Sequence, residues 1–214
     1  MAASCCNDNC SPSPPLKPDA RYRHILWIAL GINAAMFVVE IGASIAAGSV
    51  SLRADALDFL GDAANYALAL LVFGLALRWR ASAALLKGGV MGAFGVWVAT
   101  STIYYAVAGT VPRADLMGGI GFVALAANLT VAGLLYRYRQ SDSQALSVWL
   151  CTRNDVLINL AVIAAGAGVW ASNTRWPDIA VAAVIAYLGL SSATRIIRRA
   201  MGEIRSASVM APAE

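Results

Sequence analysis

Six long apolar stretches, separated by short polar connections, dominate the pattern of hydrophobic and polar positions along the chain. Each is close to the roughly 20 residues that an α-helix needs to cross a membrane. The stretches run over Ile25–Gly48, Ser51–Leu77, Ala83–Ala108, Leu116–Tyr136, Val148–Ala171 and Ile179–Ile197. Because the connections are short, the pattern predicts an all-α membrane protein with six transmembrane helices in one bundle, comprising residues 21–204.

The overall composition agrees with a surface that faces lipid. The chain is 59% hydrophobic and 13% charged, whereas soluble domains carry about 25% charged residues. The net charge of +4 is modest, and the basic residues lie at the ends of the apolar stretches rather than in a patch. No nucleic-acid partner is therefore expected.

Lysine and arginine divide unevenly between the two ends of the predicted bundle. Eleven lie on the side that holds both termini: Lys17, Arg21, Arg23, Arg78, Arg80, Arg137, Arg139, Arg195, Arg198, Arg199 and Arg205. Arg113 and Arg175 lie on the other side. Basic residues collect on the cytoplasmic side of membranes, so both termini are predicted to be cytoplasmic. The polar start of the chain does not resemble a signal peptide.

The first twenty residues form a tail of different character. Cys5, Cys6 and Cys10 precede a run rich in proline and serine, which predicts disorder over residues 1–20. Thiols on the cytoplasmic side stay reduced, so a disulfide framework is not expected. Capture of a soft metal by these thiolates and a flexible tail with incidental cysteines both remain open. Residues 205–214 form a short second tail.

Three aspartates lie inside apolar stretches. Asp58 and Asp62 are one helical turn apart in the second stretch, and Asp155 lies in the fifth. An ionised carboxylate near the bilayer centre costs roughly 3 kcal/mol or more, and such residues usually line a substrate or ion path. Counted along ideal helices, Asp62 lies about 16 Å from the outer end of its helix, and Asp155 lies about 15 Å from an inner helix end near Ala145. Both depths are near the middle of the bilayer, which predicts a cation site there.

The ligand that completes this site is left open by the sequence. Zinc-like ions prefer four ligands in a tetrahedron, from oxygen, nitrogen or sulfur. Cys151 and Asn159 flank Asp155 at intervals of four residues. Depth allows Cys151 opposite Asp62 as readily as Asn159 opposite Asp58, and Cys151 is equally well explained as a small apolar filler.

Other polar residues near these positions have competing interpretations. Asp55 shares the helix face of Asp58, near the outer mouth of the site. It is expected to be a charge at the helix start or at this entrance rather than a direct metal ligand. Glu40, with Asn33 on the same helix face, is either a proton relay or polar packing. Arg53 and Arg153 offer ion pairs to the aspartates, but helical periodicity points both away from the aspartate faces.

Small residues recur on the predicted helices. Gly88, Gly92 and Gly95 share one face of the third, and Gly118 and Gly121 lie early in the fourth. Such residues let helix backbones approach closely in lipid. Packing within the bundle is expected, with a homodimer contact as the alternative.

These residues resemble the cation diffusion facilitators, six-helix carriers that exchange a divalent metal ion for protons. The likeness covers roughly Arg23 to Ile204. Its motifs are Asn33-x-x-x-Phe37-x-x-Glu40, Ala54-Asp55-Ala56-Leu57-Asp58-x-Leu60-x-Asp62, Cys151-x-x-x-Asp155 and Trp176-Pro177-Asp178. The resemblance implies that Asp58 and Asp62 bind metal together with the Cys151 and Asp155 pair, where the family usually has His or Asp in place of Cys151.

Two departures from the family pattern matter. A thiol at Cys151 favours softer ions, or else the fourth ligand lies elsewhere. The chain also ends soon after the sixth helix, so the cytoplasmic metal-binding domain that is usual in the family is not expected. Nothing resembling a nucleotide-binding loop occurs, so an ion gradient rather than ATP is expected to drive transport.

The resemblance implies a metal-for-proton antiporter for efflux of zinc, cadmium or cobalt across the inner membrane of a bacterium, of the kind that confers metal resistance. The metal is then a substrate and no resident cofactor is expected. Expected partners are lipid, divalent ions, protons and, as an open alternative, a second copy of the chain. The competing hypothesis is a membrane metal sensor or accessory subunit without transport. An enzyme is not expected, since Gly61-Asp62 lacks the Gly-x-Gly-Asp arrangement of intramembrane aspartyl proteases.

Overall fold

The computed structural model describes residues 20–71, 77–137 and 143–209, with side chains described for 20–71, 79, 81–137 and 154–205. Within these ranges the chain is entirely helical apart from short connections, which confirms the predicted all-α class. The helices are Ala20–Ala47 (α1), Val50–Leu71 (α2), Leu77–Ala108 (α3), Ala114–Tyr136 (α4), Ser143–Ser172 (α5) and Trp176–Val209 (α6). Each predicted stretch thus corresponds to one helix.

Five of these helices are long and apolar enough to cross a membrane, as judged over the described residues. The chain is therefore a multi-pass membrane protein. The exception is α2, whose 22 residues include Arg53, Asp55, Asp58 and Asp62. The crossing of α2, and with it the six-span bundle with cytoplasmic termini, remains a prediction.

Helix α2 lies at the centre of the helix packing. It contacts α1, α3, α5 and α6, while α4 contacts α1 and α5. Every residue of α2 from Val50 to Leu57 is buried. The most extensive helix pair is α3 with α6, which packs beside the group formed by α1, α2, α4 and α5. Protein rather than lipid therefore surrounds the charges of α2, which is the condition for keeping them at membrane depth.

Glycines allow the close pairing of α3 with α6. A methyl group added at Gly88 would lie 2.8 Å from Ile197, and one added at Gly95 would lie 2.9 Å from Leu190, both on α6. Gly121 similarly faces α5, with a neighbour at 2.8 Å, whereas an added methyl at Gly118 meets nothing within 4 Å. Packing within the bundle is confirmed for these three contacts, and the homodimer remains a prediction.

The α1–α2, α3–α4 and α5–α6 connections meet at one end of the bundle through hydrogen bonds to backbone carbonyls. The Arg113 N–H donates to the Ala47 carbonyl at the end of α1, at 2.9 Å. The Arg175 guanidinium donates to the carbonyls of Ala106, at 3.2 Å, and Gly109 at the end of α3. The two arginines that sequence placed opposite the termini therefore satisfy the carbonyl ends of α1 and α3.

The start of α2 is held by a carboxylate from α6. Asp178 accepts hydrogen bonds from the Val50 N–H (2.9 Å), the Ser51 N–H (3.0 Å) and the Ser49 hydroxyl (2.7 Å). It is 2% exposed. Gly48, with φ +66°, provides the turn before these residues. A carboxylate on the free N–H groups of a helix start satisfies the donors and complements the helix dipole. This cap fixes where α2 begins and how its aspartate face is turned.

Candidate metal site

Two helices bring the predicted acidic residues together. Asp55, Asp58 and Asp62 follow one another at helical spacing on α2, and Asp155 lies on α5, which packs against α2. Asp55 and Asp62 are buried, and Asp58 and Asp155 are half-buried. We call Asp58, Asp62 and Asp155 the carboxylate layer.

Within the carboxylate layer, the carboxyl groups of Asp62 and Asp155 lie close enough to interact across the α2–α5 interface. Asp58 lies within electrostatic reach of Asp155. The Asp155 Oδ2 atom receives no hydrogen bond from any described residue. A buried oxygen without a donor, next to other carboxyl oxygens, is an acceptor group available to a cation.

These side chains do not already surround one point. Among the described residues, no three His, Cys, Asp or Glu side chains stand close enough together to hold a metal ion. Binding an ion between α2 and α5 would therefore require the carboxylates to turn toward it. The side chain of Cys151 lies outside the described residues, as do Cys5, Cys6 and Cys10.

Asn159 lies opposite Asp55 rather than Asp58. Its amide N–H₂ donates to both oxygens of Asp55, at 3.0 Å each, and its carbonyl oxygen accepts from the Asn128 amide at 2.9 Å. All three side chains are buried. The Asn159 oxygen is thus already engaged in a hydrogen bond. Asp55 is 0% exposed, so its place is in a buried polar network and not at an exposed mouth.

Glu40 completes this network from α1. Its carboxyl group lies against that of Asp55, and neither of its oxygens receives a hydrogen bond from a described residue. Asn33, seven residues earlier, donates within its own helix to the Ala29 carbonyl at 2.8 Å. We call the group Glu40, Asp55, Asn128 and Asn159 the amide layer. It lies between the carboxylate layer and the end of the bundle where the α1–α2 connection lies.

Arg53 turns away from both layers, as the periodicity predicted. Its guanidinium lies 5.0 Å from the ring centre of Trp97 and 5.4 Å from that of Tyr105, both on α3. Such cation–π contacts stabilise a cation without a carboxylate. No ion pair joins Arg53 to an aspartate within the described residues. The alternative in which Arg53 neutralises the aspartates is therefore not supported; the Arg153 side chain lies outside the described residues.

A lysine on α3 lies beside the Asp62 end of the carboxylate layer. The Lys87 ammonium donates to the side-chain amide oxygen of Asn65, and its charge acts on Asp62. Tyr66 also donates to Asp62, at 3.4 Å. Lys87 is not among the residues predicted from the sequence, although it lies inside the apolar stretch Ala83–Ala108. The rule that singled out the aspartates, that a charge inside an apolar stretch is functional, would have found it.

The comparison with protein families decides the identity of the whole helical domain. Residues 26–204 match the family model of the cation efflux transmembrane domain. The chain belongs to the cation efflux family. The resemblance to the cation diffusion facilitators is thereby confirmed. No curated protein matches the chain significantly.

Membership in the cation efflux family establishes the general function of the chain. The family is one of transporters and not of enzymes, and the chain transports cations across a membrane. The carboxylate layer and the amide layer both lie inside the matched region, on α1, α2, α4 and α5. These two layers are therefore the candidate site for the cation.

Proposed function

We propose that the protein exports a divalent transition-metal cation of the zinc, cadmium or cobalt type in exchange for protons. The ion binds between α2 and α5 at the carboxylate layer. The observation that carries the proposal is the meeting of Asp62 with Asp155, with Asp58 nearby, at the interface of two buried helix faces. The three carboxylates, on two packed helices, would turn onto one ion when it binds.

The ligand chemistry supports a divalent transition metal. Carboxylate oxygens bind zinc at about 2.0–2.2 Å, and a tetrahedral site needs one further ligand. Cys151 lies one helical turn from Asp155, so its thiolate is the proposed fourth ligand. Asn159 is the less favoured choice because Asn128 already occupies its oxygen. A thiolate would favour zinc and cadmium over harder ions such as magnesium.

Proton exchange follows from the same ligands. Carboxylates and thiolates bind metal only when they are deprotonated, so metal binding releases protons and protonation releases metal. Alternating exposure of the site to the two sides of the membrane would then couple outward movement of metal to inward movement of protons. The distribution of lysine and arginine supports cytoplasmic termini. The inner membrane of a bacterium is the proposed setting.

Metal-dependent uptake into proteoliposomes tests the proposal. Purified full-length chain is reconstituted with a pH-sensitive dye and a zinc-sensitive dye inside the vesicles, and zinc or cadmium is added outside with a proton gradient imposed. We expect metal movement in one direction and proton movement in the other. Asp58→Asn and Asp155→Asn should abolish both movements, because each removes an anionic ligand.

Asp115→Asn serves as the matched control. Asp115 is an exposed aspartate paired with Arg113 at 2.8 Å, and the proposal gives it no part in transport. Equal flux in wild type, Asp58→Asn and Asp155→Asn would refute the site. Metal binding without flux in the wild type would instead favour the sensor or accessory function. Metal flux without proton movement would refute the exchange alone.

The tail cysteines are a separate part of the proposal. Cys5, Cys6 and Cys10 would deliver a soft metal to the cytoplasmic end of the bundle through thiolates. Replacing all three by serine should then raise the metal concentration needed for half-maximal uptake and leave the maximal rate unchanged. An unchanged concentration dependence would mean that the tail has no part in delivery.

A further inference from the structure

Lys87 is a charged residue at membrane depth that the proposed mechanism does not yet use. It lies within the candidate span Ala81–Ala108 of α3, six residues after the start of that span. That distance is about 9 Å along the helix axis. Its neighbours Leu86 and Val90 are exposed on the lipid-facing side, whereas Met91, one turn beyond Lys87, is buried. Lys87 therefore lies on the part of α3 that faces α2.

Lysines near the ends of membrane helices commonly extend to the membrane surface, whereas the Lys87 side chain turns toward α2. Its ammonium donates to the side-chain amide oxygen of Asn65 on α2. The Asn65 side chain in turn contacts Asp62, and the Lys87 charge acts on the same Asp62 carboxylate. Asp62 meets Asp155 on its other side. A polar chain thus runs from α3 through α2 to α5 and ends in the carboxylate layer.

The Lys87 ammonium offsets part of the negative charge of the proposed site. Three ionised carboxylates and the proposed Cys151 thiolate carry four negative charges, the ammonium carries one positive charge, and a bound divalent ion would reduce the remaining three negative charges to one. Net charge in a site surrounded by lipid and apolar side chains is costly, because little water screens it. Arg53 of α2 is also a cation inside the bundle, but it lies against the aromatic rings of Trp97 and Tyr105 instead of a carboxylate.

We propose that Lys87 is a fixed counter-charge of the metal site. Its positive charge weakens the binding of a divalent cation, so that the cation can be released. After release, the ammonium partly replaces the charge of the cation beside Asp62. This inference rests on the proposed function. It makes Lys87 a positioning and affinity-setting residue and not a ligand, since an ammonium group has no lone pair for a metal.

Removal of the charge should tighten metal binding and slow metal release. Lys87→Gln keeps a hydrogen-bond donor for Asn65 but loses the charge, and Lys87→Met loses both. In either variant we expect the KM for zinc uptake to fall about tenfold or more, since a unit charge acting across a poorly screened site changes binding by at least that factor. The maximal rate should fall as well. Lys87→Arg keeps the charge and should stay close to the wild type.

The decisive readout is the opposite effect on affinity and on turnover, since a general loss of folding does not lower KM. Uptake of zinc and cadmium is measured in proteoliposomes for wild type, Lys87→Met, Lys87→Gln and Lys87→Arg, with equilibrium binding of zinc to the same proteins in detergent. If Lys87→Met does not reconstitute, the pair Lys87→Gln and Lys87→Arg carries the same comparison of charge.

Three results would overturn the inference. The first is an unchanged or raised KM in Lys87→Gln, and the second is a Lys87→Arg variant that behaves like Lys87→Gln. The third is a Lys87→Gln variant that matches the wild type while Lys87→Met is impaired, because the hydrogen bond to Asn65 would then be the function. A wild-type protein that moves no metal, or one insensitive to Asp58→Asn, would refute the proposed function itself.

Discussion

Replacement of Asp178 by alanine would leave the start of α2 without its cap. In the structure the carboxylate accepts two backbone N–H groups and one hydroxyl, from Val50, Ser51 and Ser49, all in a buried environment. A buried donor left without a partner costs about 1–3 kcal/mol. Ser49 and Ser51 hydroxyls, which lie 3.3 Å apart, would recover part of this. We therefore expect Asp178→Ala to lower the free energy of unfolding by about 3–4 kcal/mol.

Asp178→Asn separates the charge from the hydrogen bonds. The amide oxygen of asparagine still accepts, but its N–H₂ group faces the donors of α2 and the interaction with the helix dipole is lost. We expect a smaller loss, of about 1–2 kcal/mol. Because the cap sets the rotation of α2, the carboxylate layer should be disturbed too, and zinc uptake should fall in both variants even where the protein remains folded.

Equilibrium unfolding in mixed micelles, followed by circular dichroism, measures these free energies. Asp115→Asn is the control, since the salt bridge of Asp115 with Arg113 is exposed and such pairs contribute about 0–1 kcal/mol. The reasoning would be refuted by a loss below about 1 kcal/mol in Asp178→Ala. It would also be refuted if Asp178→Ala and Asp115→Asn were equally stable.

Three further predictions follow from the packing and the two polar layers. Gly88→Ala should lower the free energy of unfolding by about 1–3 kcal/mol, because its methyl group would lie 2.8 Å from Ile197 in the pair of α3 and α6. The control Gly89→Ala has nothing within 4 Å of its methyl group and should be neutral or stabilising. Equal effects of the two changes in unfolding measurements would contradict this. Asn159→Ala should lower the free energy of unfolding by about 2–3 kcal/mol, because Asp55 loses its hydrogen-bond donor. Zinc affinity in equilibrium binding should stay nearly unchanged. A loss of affinity as large as that in Asp62→Asn would show that Asn159 is a ligand. Zinc at 100 times its Kd should stabilise the wild type by about 2.7 kcal/mol, and a chelator should remove the effect; the same stabilisation in Asp62→Asn would place the ion elsewhere.

The helices were predictable because the apolar stretch of a membrane-crossing helix must be about as long as the membrane is thick. The observed end of α6 at Val209 lies beyond Ile197, where the apolar stretch stops. The last turns are polar, and Arg199 pairs with Glu203 at 3.1 Å, so hydropathy gives no signal for a helix that continues past the lipid. Hydropathy equally understates α2, because its charges face other helices.

The faces within each helix were predictable, but the pairing between helices was not. The period of 3.6 residues per turn placed Asp55, Asp58 and Asp62 on one side of α2 and turned Arg53 away. The choice of Asp55 as the partner of Asn159 depends on how far α5 is shifted along α2, and that shift is a property of packing. The cap by Asp178 has the same origin, since it joins residues far apart in the chain.

Zinc X-ray absorption on the full-length protein tests the central claim most directly. Cys5, Cys6 and Cys10 are replaced by serine so that the tail cannot contribute. The account predicts a bound zinc ion whose first shell is mainly oxygen at about 2.0–2.2 Å, with loss of that zinc in Asp62→Asn and in Asp155→Asn. Zinc retained with an unchanged first shell in both variants would contradict a site shared between α2 and α5.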